Sequence, residues 1–268
     1  METYKLYEGK LELKYLDSKH LYTVEEKPVE SITGILKVIS KPALIPWAVK
    51  ETGDYLSRHL KPGTMLDEVS ILRLISEAKK AHRITSGHAA DIGTWAHEWF
   101  AKYFSGEKPP QPINPLLLQI VQGLKSFLGG RQVKVNSSER KLYSVEHRVA
   151  GTLDLDCYID GKRTLVDFKT SSGIYPDMFV QLGGYDLLAS EEDEFVALGK
   201  GEKYDPFVQH MIVNFKKQKE GVPDSETLFD PARDIKISKD VLNNKLGFLG
   251  ALQLYRSLDG IKAETGLR

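Results

Sequence analysis

Cysteine is almost missing from this chain. Cys157 is the only one in 268 residues, which excludes an internal disulfide framework and any four-cysteine zinc or iron–sulfur site within one chain. An excess of either charge is missing too, because 37 Lys and Arg offset 37 Asp and Glu. A globally basic body is thereby excluded, and any polyanion contact has to come from a local patch. No uninterrupted apolar run is long enough to cross a bilayer, so no membrane partner is expected. The opening residues Met1-Glu2-Thr3-Tyr4-Lys5 carry no apolar h-region, so no secretory signal is expected. No Gly-x-x-x-x-Gly-Lys-(Ser/Thr) loop occurs, which leaves out a built-in nucleotide cofactor site and ATP-driven unwinding. What is present, 41% hydrophobic and 28% charged residues, suits one large globular domain, or a core with an appended part, in the cytoplasm.

Local signals divide the chain by period. Residues 4–30 read as short strands with a turn at Asp17-Ser18. Ser31 is an N-cap for a helix through Ile32, Ile35, Leu36 and Ile39, limited by Pro42. Pro46 opens a second helix, and residues 66–84 have helical spacing. Ser86 is read as the cap of a helix from Ala89 to about Phe104, and Leu116–Leu128 as another, stopped by Gly129-Gly130. From Gln132 to Thr170 the pattern alternates, giving two or three antiparallel strands. Pro176 to Ala189 reads as a helix, Glu191-Glu192-Asp193-Glu194 as a solvated acidic turn, and Phe207–Phe215 as a strand. Ser238 is read as the cap of a last helix to about Leu258.

Within the alternating stretch, Asp160-Gly161 is a strong signal for a two-residue hairpin turn. A turn on those two residues makes cross-strand partners sum to 321, which sets Asp154 opposite Asp167. Their Cβ atoms would then lie about 4.5–5.5 Å apart on one face. Lys169 shares that face by the two-residue period. Two facing carboxylates repel unless a cation sits between them, and an acid pair beside a lysine is the minimum apparatus for metal-assisted phosphodiester hydrolysis. A solvated face with Thr152, Asp154, Asp156 and Tyr158 on one strand is the plainer alternative. His97 alone would be an ordinary helical histidine, and Gln181 and Tyr185 merely share a helix face. Glu146, eight residues before Asp154, is an exposed strand carboxylate by default.

Four ordered motifs together carry more weight than any of these residues alone. Gly93-Thr94-Trp95-Ala96-His97, Gly151-Thr152-Leu153-Asp154, Asp167-Phe168-Lys169-Thr170 and Gln181-Leu182-Gly183-Gly184-Tyr185 resemble the motifs of the PD-(D/E)XK nuclease superfamily, in its RecB-like branch. The resemblance covers roughly residues 93–185. With one cysteine the chain is similar to members without an iron–sulfur cluster, such as phage-type and mitochondrial genome maintenance exonucleases.

The resemblance implies an α/β fold with a restriction-endonuclease-like core, a central mixed sheet flanked by helices, and an N-terminal helical elaboration. It implies a region 1–85 of strands and helices contributing to a DNA channel, a nuclease core over 86–216, and a loop with a C-terminal helix over 217–268. It implies that His97, Asp154, Asp167 and the Phe168 carbonyl hold Mg²⁺ or Mn²⁺, and that Lys169 positions the attacking water. Glu146 fits the family's preceding acid, Gln181 would hold the lysine or a phosphate, and Tyr185 would pack behind the site or contact DNA. Thr170 and Ser171 would bond a backbone phosphate. Lys216 and Lys217, with Lys79, Lys80, His82 and Arg83, are candidate DNA contacts that read equally well as solvated charges. Tyr55, Tyr103 and Tyr175 are candidates for stacking on bases. The expected activity is a metal-dependent DNA exonuclease on single strands or free ends, in replication, repair or recombination, in a bacterial or phage-infected cell. Any helicase, recombinase or single-strand-binding protein would be a partner. The alternatives are a structure-specific or restriction-type endonuclease on the same core and an inactive DNA-binding subunit.

Overall fold

The computed structural model describes residues 1–63, 65–216 and 228–267. The chain forms two compact units, Met1–Ile39 with Ala96–Arg268, and Ser40–Trp95. The larger unit is built on a mixed sheet, in which nine strands are described. Strands β1 (Glu2–Leu6), β2 (Leu11–Leu16), β3 (Leu21–Val24) and β4 (Lys27–Ser31) form an antiparallel meander. Ser31 then caps α1 (Ile32–Ile35) by accepting the Gly34 N–H at 3.0 Å.

The centre of the sheet is β5 (Val133–Ser144), β6 (Val149–Ile159) and β7 (Lys162–Lys169), continued by β8 (Gln209–Asn214), parallel to β7, and by β9 (Ile235–Ser238). The β6–β7 turn is Asp160-Gly161, and both residues take positive φ, 50° and 79°, as a type I′ turn requires. The pairs run from Ile159–Lys162 to Leu155–Val166, each summing to 321 as expected. Strand β5 covers one whole edge of β6, so β4, paired at Val149 and Ala150, and β7, paired from Leu155, share the other. Between them Gly151–Asp154 have no strand partner on that edge among the described residues. The sheet therefore parts at Asp154.

The part of α4 (Ala81–Phe104) from Ala96 on, with α5 (Pro115–Leu128), α6 (Pro176–Lys200) and α8 (Val241–Thr265), flanks this sheet, and the short α7 (Pro231–Asp234) precedes β9. On one face Leu182, Tyr185 and Leu188 of α6 and Phe248 and Leu252 of α8 pack with Leu165 and Ile212. On the other, Phe168 and Phe215 meet Phe100 of α4, and Phe168 also meets Phe104 and Phe127. A Cβ at Gly151 would stand 2.9 Å from both Ile32 and the Tyr185 ring, so this glycine lets α6 lie against β6. The smaller unit holds α2 (Leu44–His59), α3 (Glu68–Ala78) and the start of α4. Within it Tyr55 donates to Glu77 and Thr85 to Glu51. Among the described residues no helix is long and apolar enough to cross a membrane.

Several local expectations change. Ser86 lies inside α4, which starts at Ala81, and its hydroxyl bonds back to the Arg83 carbonyl. Helix α6 runs on to Lys200, so Glu191–Glu194 are helical. They are no solvated turn: Glu192 and Asp193 pair with Arg140, each at 2.8 Å, and Asp193 with Arg163 at 2.6 Å. Asp156, expected on a polar face, is buried and bound by Arg163 at 2.7 Å. The last helix is capped by Asp240, which accepts the Asn243 N–H, while Ser238 ends β9.

Candidate active site

Strand alternation and the gap in the sheet set the site. In β7 Phe168 turns to the aromatic cluster, and Asp167 and Lys169 turn to the side where α6 lies. Beyond Leu155 the β6 backbone no longer pairs with β7, and the Asp154 carboxylate takes the place of a ladder bond. Its Oδ2 accepts the Phe168 N–H at 2.7 Å. Its Oδ1 lies 3.4 Å from His97 Nδ1. His97 stands on α4 one turn before Phe100, whose ring packs on Phe168, so the aromatic core fixes where the imidazole arrives.

A third candidate ligand comes from a residue the motif reading did not select. Glu139 Oε1 is 3.6 Å from His97 Nδ1, and one donor atom each from His97, Glu139 and Asp154 lies within 4.8 Å of the others. Strand β5 is bulged between Val135 and Ser137, and the pairs Ser138–Leu155 and Arg140–Leu153 put Glu139 across from Asp154. Glu139 has φ 50°. A non-glycine residue so held next to a bulge is the kind of strain that collects at functional sites. Glu146 instead lies in the turn after β5, with a side chain 76% exposed and His147 as its ion-pair partner at 3.9 Å. It is not among the groups that converge. In the structure the turn over Val145–Arg148 makes β5–β6 partners sum to 293, which sets Glu139 opposite Asp154.

Lys169 Nζ donates to Asp167 Oδ1 at 2.8 Å and to Gln181 Oε1 at 3.1 Å. Gln181 Nε2 in turn donates to the Tyr185 hydroxyl at 2.9 Å. Asp167 is 1% exposed, and its Oδ2 has no hydrogen bond among the described residues although Nζ is 2.7 Å away. Burial, with the Asp154 charge added, pushes the Asp167 carboxyl up to about 6 against the pull of Lys169. Burial also lifts Asp154, but the His97 ring and the Lys169 ammonium outweigh it and hold that carboxyl below its ordinary value. The Asp154 charge raises His97 well above the usual imidazole range. Burial works against the Lys169 charge, yet Asp167 and Asp154 more than restore it, so the side chain stays an ammonium. Burial keeps Tyr185 a phenol.

The remaining candidates are placed around this centre. Thr170 follows β7 directly and is half-buried. The Ser171 N–H donates to Asn214 Oδ1 at 3.0 Å and its hydroxyl to the Gly173 carbonyl at 2.6 Å, so Ser171 anchors the turn after β7. Lys216 follows β8 and faces Asp234 at 3.6 Å. Lys217 lies outside the described residues. Thr152 is bound by the Tyr22 hydroxyl at 2.7 Å, tying the N-terminal meander to the strand that carries Asp154.

Cis ligands of an octahedral ion with bonds of about 2.1 Å lie about 3.0 Å apart. The His97–Asp154 and His97–Glu139 spacings, 3.4 and 3.6 Å, are somewhat longer than that, and one imidazole with carboxylates is a donor set for Mg²⁺ or Mn²⁺. The buried Asp167 Oδ2, 2.7 Å from the Lys169 ammonium, is a further oxygen of the same sign. These residues fit a divalent cation.

No protein-family model matches the chain, and no curated protein does. Among solved structures it is similar to a phage-related exonuclease from Haemophilus somnus 129PT, at 16% identity over 63% of this chain and 82% of that one, with a TM-score of 0.28. It is also similar to an alkaline exonuclease from Laribacter hongkongensis, at 10% identity over 66% of this chain and 91% of that one, with a TM-score of 0.20. Likeness this loose fixes neither fold nor function, and the site stands on its own geometry.

Proposed function

We propose that this chain is a divalent-metal-dependent deoxyribonuclease of the exonuclease type, acting on single strands or free DNA ends. One observation carries the reading: His97, Glu139 and Asp154, from three separate elements, converge beside a lysine held between Asp167 and Gln181. His97, Glu139, Asp154 and Asp167, with the Phe168 carbonyl, would hold Mg²⁺ or Mn²⁺, and the ion supplies charge to polarise the scissile phosphate and lower the pKa of water. The chain's own part is positional. Lys169 is an ammonium, so it orients the attacking water and stabilises its deprotonated form by charge; it does not remove the proton as a neutral base. Asp167 and Gln181 fix the ammonium in one place, and Tyr185 fixes the Gln181 amide. Preset donors of this kind need no reorganisation as charge develops.

The test uses oligonucleotides labelled at either end, single- and double-stranded, with Mn²⁺ and with EDTA. The wild type should shorten them only with metal, and it should leave closed circular DNA intact, which separates it from an endonuclease. Asp154→Ala and Lys169→Ala should each lower cleavage at least about 100-fold while the circular dichroism spectrum is unchanged. Undiminished cleavage by either folded variant would refute the reading.

A further inference from the structure

Next to the candidate active site, on the β8 side, lies a groove of about 560 Å³ lined by residues of four segments. The loop after β7 gives Ile174 and Tyr175, helix α6 gives Pro176 and Phe179, and the α7–β9 segment gives Arg233, Lys236 and Ile237; Lys216, at the end of β8, completes the wall. Its volume is that of a site for a small organic ligand. Its chemistry is divided. Ile174, Phe179 and Ile237 make an apolar floor, and Tyr175, 44% exposed, presents a ring beside them. Among the described residues Lys216, Arg233 and Lys236 make a cationic rim, and the lining carboxylate is the buried Asp234. That carboxylate is engaged by Arg233 at 2.6 Å and faces Lys216 at 3.6 Å. Among the described residues the Lys236 ammonium meets a neutral partner, the Ala232 carbonyl at 3.0 Å. Asn214 forms the wall between groove and site. It is fully buried, bonds both backbone groups of Ser171, and pairs with Lys169 in the β7–β8 ladder. The groove is therefore one strand, about 4.8 Å, from the backbone of Lys169.

We infer that this groove binds one nucleotide unit of the DNA strand beside the scissile bond, base and sugar on the apolar floor and Tyr175, phosphate at the rim of Lys216 and Lys236. An apolar floor alone suits many ligands and a basic rim alone many anions. The two together, a strand away from the lysine that faces the reacting phosphate, match a nucleotide. The choice of ligand rests on the nuclease reading; the binding itself is measured without it.

The experiment is fluorescence anisotropy of an end-labelled single-stranded oligothymidine with the full chain in EDTA, over a series of salt concentrations. Lys216→Ala/Lys236→Ala should bind at least tenfold more weakly. Its slope of log K against log salt should be shallower by about 0.7 for each phosphate that is no longer neutralised. Tyr175→Ala should bind about fivefold more weakly or worse. Lys236→Ala alone, which leaves Asp234 its partners, covers the case in which the double variant misfolds, and should itself weaken binding severalfold. Lys37→Ala/Lys200→Ala, two lysines elsewhere on the surface, removes the same charge and should leave affinity unchanged. Competition by thymidine monophosphate against the oligonucleotide separates a free nucleotide from a unit within a strand. No binding by the wild type, or equal affinity and slope for the wild type and the folded groove variants, would overturn the inference. Cleavage by the wild type with unaffected groove variants would sink the groove alone. Groove-dependent binding without cleavage would sink the nuclease reading alone.

Discussion

Glu139 is the residue on which the site's geometry and its sequence part company. Its left-handed backbone costs a non-glycine residue about 1–2 kcal/mol, and its carboxylate faces His97 and Asp154. A residue retained only for stability would be replaced by glycine without loss. Glu139→Gly should therefore keep or raise the melting temperature while metal-dependent cleavage falls about 10–100-fold. Glu146→Ala should change neither, because its side chain stands in solvent. Equal cleavage by wild type and Glu139→Gly would remove Glu139 from the site. The reason one acid was legible and the other was not lies in the turns. Asp160-Gly161 announces its left-handed pair by residue type, so the register of Asp154 and Asp167 follows by counting. Val145-Glu146-His147-Arg148 holds no glycine, proline or asparagine, and Arg148 itself takes φ 51°. Neither that turn nor the bulge at Val135–Ser137 leaves a mark in the residue pattern.

Among the elements, α6 does most to join core and site, since it presents Gln181 and Tyr185 on one side and packs on α8 along the other. The Gly183-Gly184 pair makes that contact possible. A Cβ at Gly183 would stand 2.1 Å from the Asn244 carbonyl oxygen, which is backbone and cannot swing away. Gly183→Ala should thus force the helices apart at a cost of about 3 kcal/mol, lowering the melting temperature by roughly 6–12 °C. Gly250→Ala, on α8 with open space at the Cβ position, should instead stabilise by about 0.5–1 kcal/mol through helix propensity. Melting curves by circular dichroism decide it, and equal shifts would mean the helix contact is looser than described. The glycines drew notice in the sequence only as spacers inside Gln181-Leu182-Gly183-Gly184-Tyr185. Their packing role depends on a helix at Val241–Thr265, distant in sequence. The same holds for the extent of α6: Glu191, Glu192 and Asp193 look like a solvent-facing turn until Tyr7, Arg140 and Arg163 are known to meet them.

Across the whole molecule a formal charge of zero hides a concentration of charge in the interior. One partly buried network joins Asp156, Arg163, Asp193, Arg140 and Glu192, and another centres on Asp186 of α6. Its Oδ2 is 2.9 Å from His210 Nε2 on β8, and its Oδ1 meets Lys245 of α8 at 2.8 Å and Ser190 at 2.6 Å. Three elements of the core are thus tied through one carboxylate that is 1% exposed. Burial raises its pKa, but the His210 bond and the Lys245 charge outweigh that and hold it below the ordinary carboxylate value. A folded pKa below the unfolded one means stability that is fully present above about pH 4 and is lost as the pH falls through the folded value. Asp186→Asn removes that contribution and leaves Lys245 and His210 short of a partner, at a cost of about 2–3 kcal/mol near neutrality. Its melting temperature should lie several degrees below the wild type at pH 7, and the gap should close on acidification below about pH 4. A constant gap from pH 7 to pH 3 would show that Asp186 acts through packing alone, and a gap that widens in acid would reverse the sign of its shift.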